Sequence, residues 1–269
     1  MNRIDERFKE LRRARQKAVI VFVTAGDPSL GVTRQALRHA EKSGVDLVEL
    51  GVPFSDPLAD GPVIQAASFR ALKRGVTFSK ILDLVRAERR AGLTLPLVLM
   101  TSFNPVHRYG PRRAFEAAQR AGADGFIIPD LPFHEASNLL REARRLGLRL
   151  ILMLTPTTSP ERKTRILRKA GGFLYYVSLT GVTGERRRSA YPFRRDVLRI
   201  RRRTRVPLCV GFGVSTPREA AEISRFADGV IVGSAVVRNL DARSRAGLSP
   251  QSKRWIAAFA RAVKGRVSR

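Results

Sequence analysis

Cysteine appears once and histidine three times in 269 residues, and each scarcity removes a class of protein. The lone Cys209, inside "VPLCVGFG", cannot close an internal disulfide, which excludes a disulfide scaffold and fits a reducing compartment. It has no evident histidine partner for thiol catalysis, so its apolar setting predicts a core role. His39, His107 and His134 fall on unrelated segments without metal-ligand spacing, so no metal site is expected. No G-x-S-x-G occurs. No apolar stretch approaches the ~20 residues of a membrane span, and no membrane partner is expected. The opening residues, "MNRIDERFKELRRARQK", lack the apolar run of a secretion signal and carry acids that a transit peptide avoids; a cytoplasmic location is the expectation.

Acidic residues are also short. Twenty-three Asp and Glu stand against 51 Lys and Arg, a formal charge of +28, and ten arginines fall within "ERRRSAYPFRRDVLRIRRRTR" at 185–205. Such a field attracts nucleic acid, membrane headgroups and phosphorylated metabolites alike. Aromatic residues are only 7% of the chain and rare in that run, whereas a base-stacking surface interleaves them. Most of the charge therefore reads as a solvated surface with no specific nucleic-acid role, although a scaffold working through its arginines remains the alternative from another class.

What is present is rhythm. Eight short apolar runs recur: "AVIVFVT" from Ala18, "LVEL" from Leu47, "LVLMT" from Leu97, "GFIIPD" from Gly125, "RLILML" from Arg149, "FLYYVS" from Phe173, "PLCVG" from Pro207 and "GVIVG" from Gly229. Helical periodicity fills most intervals, as at Ala114, Ala117, Ala118 and Ala121. Continuous apolar runs joined by helices are the mark of parallel strands buried on both faces. Eight such units predict a closed (β/α)₈ barrel of the TIM type, as one domain over residues 1–269. Ile4, Phe8 and Leu11 share one helical face and predict an extra N-terminal helix lying on the body. The wide interval between Leu47 and Leu97 predicts an insertion after the second strand, with a helical segment at Val63 to Lys73 ahead of the crossover helix near Ile81 to Arg90. Ser249-Pro250 reads as the start of the last helix.

Active sites of such barrels lie where the strands end. Glu49, flanked by Val48 and Leu50, ends the second run, and Asp60 lies in the loop beyond it. A partly dry carboxyl there acquires a raised pKa and can hold or release a proton near neutrality. Asp60 precedes Gly61-Pro62 and could equally start the next helix, while Asp56-Pro57 reads as a turn. "TGVTG" at 180–184, "GFGVS" at 211–215 and "GSA" at 233–235 follow the last three strands, where barrels build phosphate sites from backbone N–H groups. A Schiff-base aldolase is not expected, because none of the eight runs contains a lysine. The residues alone thus give a barrel that binds a phosphorylated small molecule and does acid–base chemistry with carboxylates.

The stretch "LVELGVPFSDPLADGPVIQ" closely resembles the signature of the tryptophan synthase alpha subunit family. It is supported by "FVTAGDPS", "MTSFNP", "IPDLP", "VSLTGVTG", "GFGVS" and "VGSAVV" between Ile20 and Val237. The resemblance implies retro-aldol cleavage of indole-3-glycerol phosphate to indole and glyceraldehyde 3-phosphate, a cofactor-independent lyase reaction. It implies that Glu49 is the general acid protonating the indole ring and that Asp60 holds the indole N–H. It further implies that Phe22 and the segment from Met100 to Phe103 line the indole pocket, and that Tyr175, a strand residue that could equally be core, lies near Glu49. By the same resemblance Thr183 belongs to a closing loop, Gly184, Gly211, Gly213, Gly233 and Ser234 hold the phosphate, and Asp130 is structural. The family pairs this subunit with a pyridoxal-phosphate beta subunit in an alpha2-beta2 assembly, so the chain itself is expected to carry no cofactor. Ser102, where the family pattern has tyrosine, and the basic "ERRRS" depart from it.

Overall fold

The structure is a computed structural model that describes residues 2–57, 60–178, 191–211, 213–240 and 247–265. In chain order the elements begin with α1 (Arg3–Arg13), β1 (Ala18–Thr24), α2 (Leu30–Lys42) and β2 (Leu47–Gly51). The long interval follows, with α3 (Pro62–Lys73) and α4 (Phe78–Arg90) before β3 (Leu97–Met100). Next come α5 (Phe103–Tyr109), α6 (Pro111–Ala121), β4 (Gly125–Ile127), α7 (Ala136–Arg145), β5 (Arg149–Leu154) and α8 (Pro160–Lys169). The last part contains β6 (Leu174–Val177), α9 (Arg194–Arg201), β7 (Leu208–Gly211), α10 (Pro217–Ile223), β8 (Gly229–Val232), α11 (Ser234–Asn239) and α12 (Pro250–Lys264). The eight strands pair in parallel in sequence order and β8 closes on β1. The expected barrel, the N-terminal helix and the extra helix after β2 are all there. The sequence runs overshoot several strands: β4 ends at Ile127, leaving Ile128 to Asp130 to the loop.

Local chemistry explains the ends. Asn2, Ser29, Thr77, Ser159 and Ser249 each accept a hydrogen bond from a first-turn N–H of the helix they precede, and Thr216 with Glu219 forms a reciprocal capping box. After α6 the chain turns at Gly122 with φ +93°, a conformation that favours a residue without Cβ.

Every residue of β1 is buried, yet its two faces have different partners. Val19, Val21 and Val23 pack into the layer between strands and helices. Ala18 and Ile20 face the barrel interior with Leu47, Val98, Ile127, Ile151, Phe173, Tyr175, Cys209 and Ile231. Ile4, Phe8 and Leu11 of α1 belong to that same interior cluster, so α1 stoppers the end of the barrel where the strands begin.

Ionic bonds hold the stopper in place. An aspartate stands immediately before β2, β4 and β8, and each reaches back to the start of a neighbouring strand: Asp46 accepts Val19 N–H, Asp124 accepts Leu97 N–H and Asp228 accepts Leu208 N–H. From α1, Arg7 pairs with Asp46 at 2.7 Å, Arg3 with Asp124 at 2.9 Å, and Asp5 with Arg149 of β5. These aspartates went unnoticed in the sequence, although "GVDLV", "GADGF" and "FADGV" share a register that could have revealed them.

Candidate active site

β2 carries Glu49 into the barrel. Its neighbours Val48 and Leu50 point outward into the helical layer, so the period of two turns Glu49 inward, level with Phe22 on β1 and Val98 on β3. Glu49 is 1% exposed, and its Oε1 is buried without a hydrogen-bond partner among the described residues. Burial alone lifts its carboxyl to a pKa of about 8. At neutral pH this carboxyl holds a proton.

Asp60 sits higher, in the loop between β2 and α3. Its N–H donates to the Pro57 carbonyl at 3.0 Å and its carbonyl accepts from Gln65 Nε2, which fixes the turn into α3. Burial, and secondarily the negative charge of Asp130, raise its carboxyl to about 6. Asp130 accepts the Phe103 N–H at 2.8 Å and so ties the loop after β4 to the start of α5.

A narrow pocket at the strand ends gathers Phe22, Gly51, Val52, Phe54, Asp60 and Met100, with Ser68 of α3, Thr101, Ser102 and Pro129 completing the wall. Its free volume is about 20 Å³, room for a water molecule and no more. Thr24, inward-facing at the same end of β1, likewise has a buried Oγ1 with no partner among the described residues. Sequence reasoning passed over Thr24, Gly51, Val52, Phe54 and Ser68; the motif around Glu49 held three of them, but nothing local said which way they face.

Tyr175 on β6 is buried in the barrel interior, where the charges of Glu49 and Asp60 both reach it and, after desolvation, raise its phenol further. A Cβ added to Gly211 would lie 2.6 Å from its Oη, so the absence of a side chain on β7 is what admits the ring. Gly213 adopts φ +78°, just ahead of the capped start of α10. Gly233 precedes the short helix α11, whose first residue is Ser234. The N–H groups of a first helical turn lack carbonyl partners within the helix, which suits an anion. The loops after β7 and β8 therefore bring Gly211, Gly213, Gly233 and Ser234 to the same end of the barrel as Glu49. Thr183 and Gly184 lie outside the described residues.

Wider clefts open elsewhere, one between the β4 and β5 ends and α8, two more beside α1. The carboxyls lining them, Asp5 and Asp228, are both ion-paired. Among the described residues no group of three or more His, Cys, Asp or Glu could hold a metal.

Residues 8–264 match the sequence profile of the tryptophan synthase alpha chain. The chain is 46% identical over 264 residues, 98% of each chain, to the tryptophan synthase alpha chain of Citrifermentans bemidjiense. It is 47% identical over 241 residues to that of Geotalea daltonii, covering 90% of this chain and 91% of the relative. Among solved structures, a tryptophan synthase subunit alpha from Legionella pneumophila superposes with a TM-score of 0.89 at 38% identity, covering 98% of both chains. A tryptophan synthase from M. tuberculosis in its aminoacrylate-bound form matches with a TM-score of 0.86 at 33% identity, over 98% of this chain and 100% of that one.

Proposed function

The chain belongs to the tryptophan synthase alpha chain family, and on that premise we propose how its own residues carry the reaction. It is a carbon–carbon lyase: it cleaves indole-3-glycerol phosphate to indole and glyceraldehyde 3-phosphate, and the indole passes to a beta subunit for L-tryptophan synthesis.

The difficulty of this cleavage lies at C3 of the ring. Direct rupture would leave a poor carbanion, so C3 must first take a proton and the ring become an indolenine. Glu49, protonated at neutral pH, delivers that proton. Asp60, ionised, accepts the indole N–H and offsets the positive charge growing on the ring. The C3–side-chain bond then breaks, its electron pair returns to the ring, and the side-chain hydroxyl loses its proton to the carboxylate now at Glu49, leaving the aldehyde. Proton count closes on Glu49 over one turnover. Tyr175 and Phe22 bound the space above Glu49 and Met100 lines the ring pocket. Gly211, Gly213, Gly233 and Ser234, with Thr183 and Gly184, hold the phosphate.

The observation that carries this reading is the buried carboxyl of Glu49 facing the barrel interior, whose Oε1 has no hydrogen-bond partner among the described residues. A proton donor with no hydrogen-bond partner of its own is free to serve a substrate. The reading takes residues 1–269 as one domain, located in the cytoplasm, within an alpha2-beta2 assembly. Pyridoxal phosphate belongs to the beta partner and none is assigned to this chain. Among the described residues no helix is long and apolar enough to cross a membrane.

The test is indole release from indole-3-glycerol phosphate by the purified chain, with and without a cognate beta subunit. Turnover by the chain, accelerated on adding beta, is expected. Undiminished turnover in Glu49→Gln removes Glu49 from the mechanism, and indifference to beta separates the chain from a coupled assembly.

A further inference from the structure

Opposite the active site, where the strands begin, two clefts flank α1. One, of about 650 Å³, runs between α1 and the starts of β5, β6 and β7 and is lined by Lys9, Arg12, Arg144, Arg149, Lys169 and Arg205 against a single acid, Asp5. The other, of about 430 Å³, adds Arg15, Lys17 and Arg201 against a single acid, Asp228. The two share Phe8, Arg12, Arg205, Val206 and Pro207, so they join into one furrow around the end of α1. Both acids are already used, Asp5 by Arg149 and Asp228 by Arg201 and Lys17. Among the described residues Arg12, Arg15 and Arg205 have no carboxylate partner; Arg12 Nη2 donates to the Arg205 carbonyl at 2.8 Å, which brings two guanidinium-bearing residues together across the junction.

We propose that this furrow binds a linear phosphate chain, with inorganic polyphosphate as the occupant it fits. A concave surface between low-dielectric walls focuses the field of its charges far more than the same charges spread over a convex face. Guanidinium groups present planar forks of donors that match phosphate oxygens, and Arg is the majority cation here. Among the described residues the furrow turns no exposed aromatic ring to its occupant, since the one aromatic residue in its lining, Phe8, is buried in the barrel interior. A chain with bases would find nothing to stack on. A duplex, with its phosphates on a convex surface, meets a furrow poorly. Every requirement of the occupant is satisfied by closely spaced negative charge alone. The furrow lies at the other end of the barrel from Glu49, so occupation leaves the substrate site open.

The measurement is the anisotropy of end-labelled, long-chain inorganic polyphosphate titrated with the full chain across a salt series. Arg12→Ala combined with Arg205→Ala is compared with Arg108→Ala combined with Arg113→Ala, which removes equal charge from the exposed faces of α5 and α6. The furrow pair should weaken binding by at least ~10-fold and flatten the salt dependence, while the control pair changes it by less than ~2-fold. Indole release should stay unchanged in both, which shows that each variant is folded and keeps this test separate from that of the catalytic reading. Equal weakening by the two pairs would reduce the effect to net charge and overturn the proposal. Tighter binding of a single-stranded homopolymer RNA of matched charge would overturn it too.

Discussion

The ring of Phe22 lies over the Cα of Gly51, across the pairing of β1 with β2: a Cβ at position 51 would overlap the ring's Cζ and stand 2.7 Å from Cε2. Phe22 in turn is the register partner of Glu49. A missing side chain on β2 thus places the aromatic wall beside the proposed acid.

Gly51→Ala should therefore push Phe22 away from its position. Overpacking of this kind costs about 1 to 3 kcal/mol, visible as a lower urea midpoint. Misplacing the wall should lower kcat/KM by ~10-fold or more. Wild-type turnover in this variant would show that the ring is free to yield and has no positioning role.

Glu49→Gln should lower kcat by ~10² to 10⁴ with little change in KM, because the lost group acts in the transition state. The same variant has a stability signature. With a carboxyl pKa of about 8 in the fold and near 4.5 unfolded, the native state keeps a proton that the unfolded chain has released. Stability accordingly falls as pH rises from 4.5 to 8 and levels off above, a loss on the order of 5 kcal/mol. Glutamine removes this slope, so urea unfolding should find the variant more stable than the parent at pH 9 and equal to it at pH 4.

Activity should follow a bell. Asp60 must be ionised and Glu49 protonated, so kcat/KM rises through about pH 6 and falls through about pH 8. Asp130→Asn removes a negative neighbour of Asp60 and should move the acid limb to lower pH, leaving the alkaline limb in place. An acid limb that does not respond would assign it to another group.

At the far end, Asp46→Ala deletes the acceptor of Val19 N–H and the shared partner of Arg7 and Lys264. Loss of a buried, multiply bonded carboxylate should cost about 3 kcal/mol. Indole release at 25 °C should be unaffected, since the site lies at the other end of the strands. A loss of turnover without a loss of stability would contradict that division of labour.

Much of the site could be read from the chain because its elements are local. Glu49 stands out as a carboxyl within a run of buried residues, and the glycines after the last strands mark turns at the strand ends. Phe54 and Ser68 could not be read in the same way: one is a loop aromatic and the other a small residue on a helix, and only the folding of α3 over the strand ends turns them to the pocket. Thr24 reads as an ordinary strand end. The short helices α5 and α11 were also missed, since a segment of six or seven residues is too brief to display a periodicity.

Sequence by itself determined the barrel, the stopper helix and the inward-facing carboxyl of Glu49, because alternation along a strand and the three-to-four spacing along a helix are properties of consecutive residues. The tertiary structure alone decided that Phe22 rests on Gly51, that Tyr175 rests against Gly211, and that Arg12 meets Arg205 from 193 positions away. Those relations depend on which strands become neighbours when the sheet closes, and closure is settled by the summed packing of eight strands with their helices, which no single segment encodes.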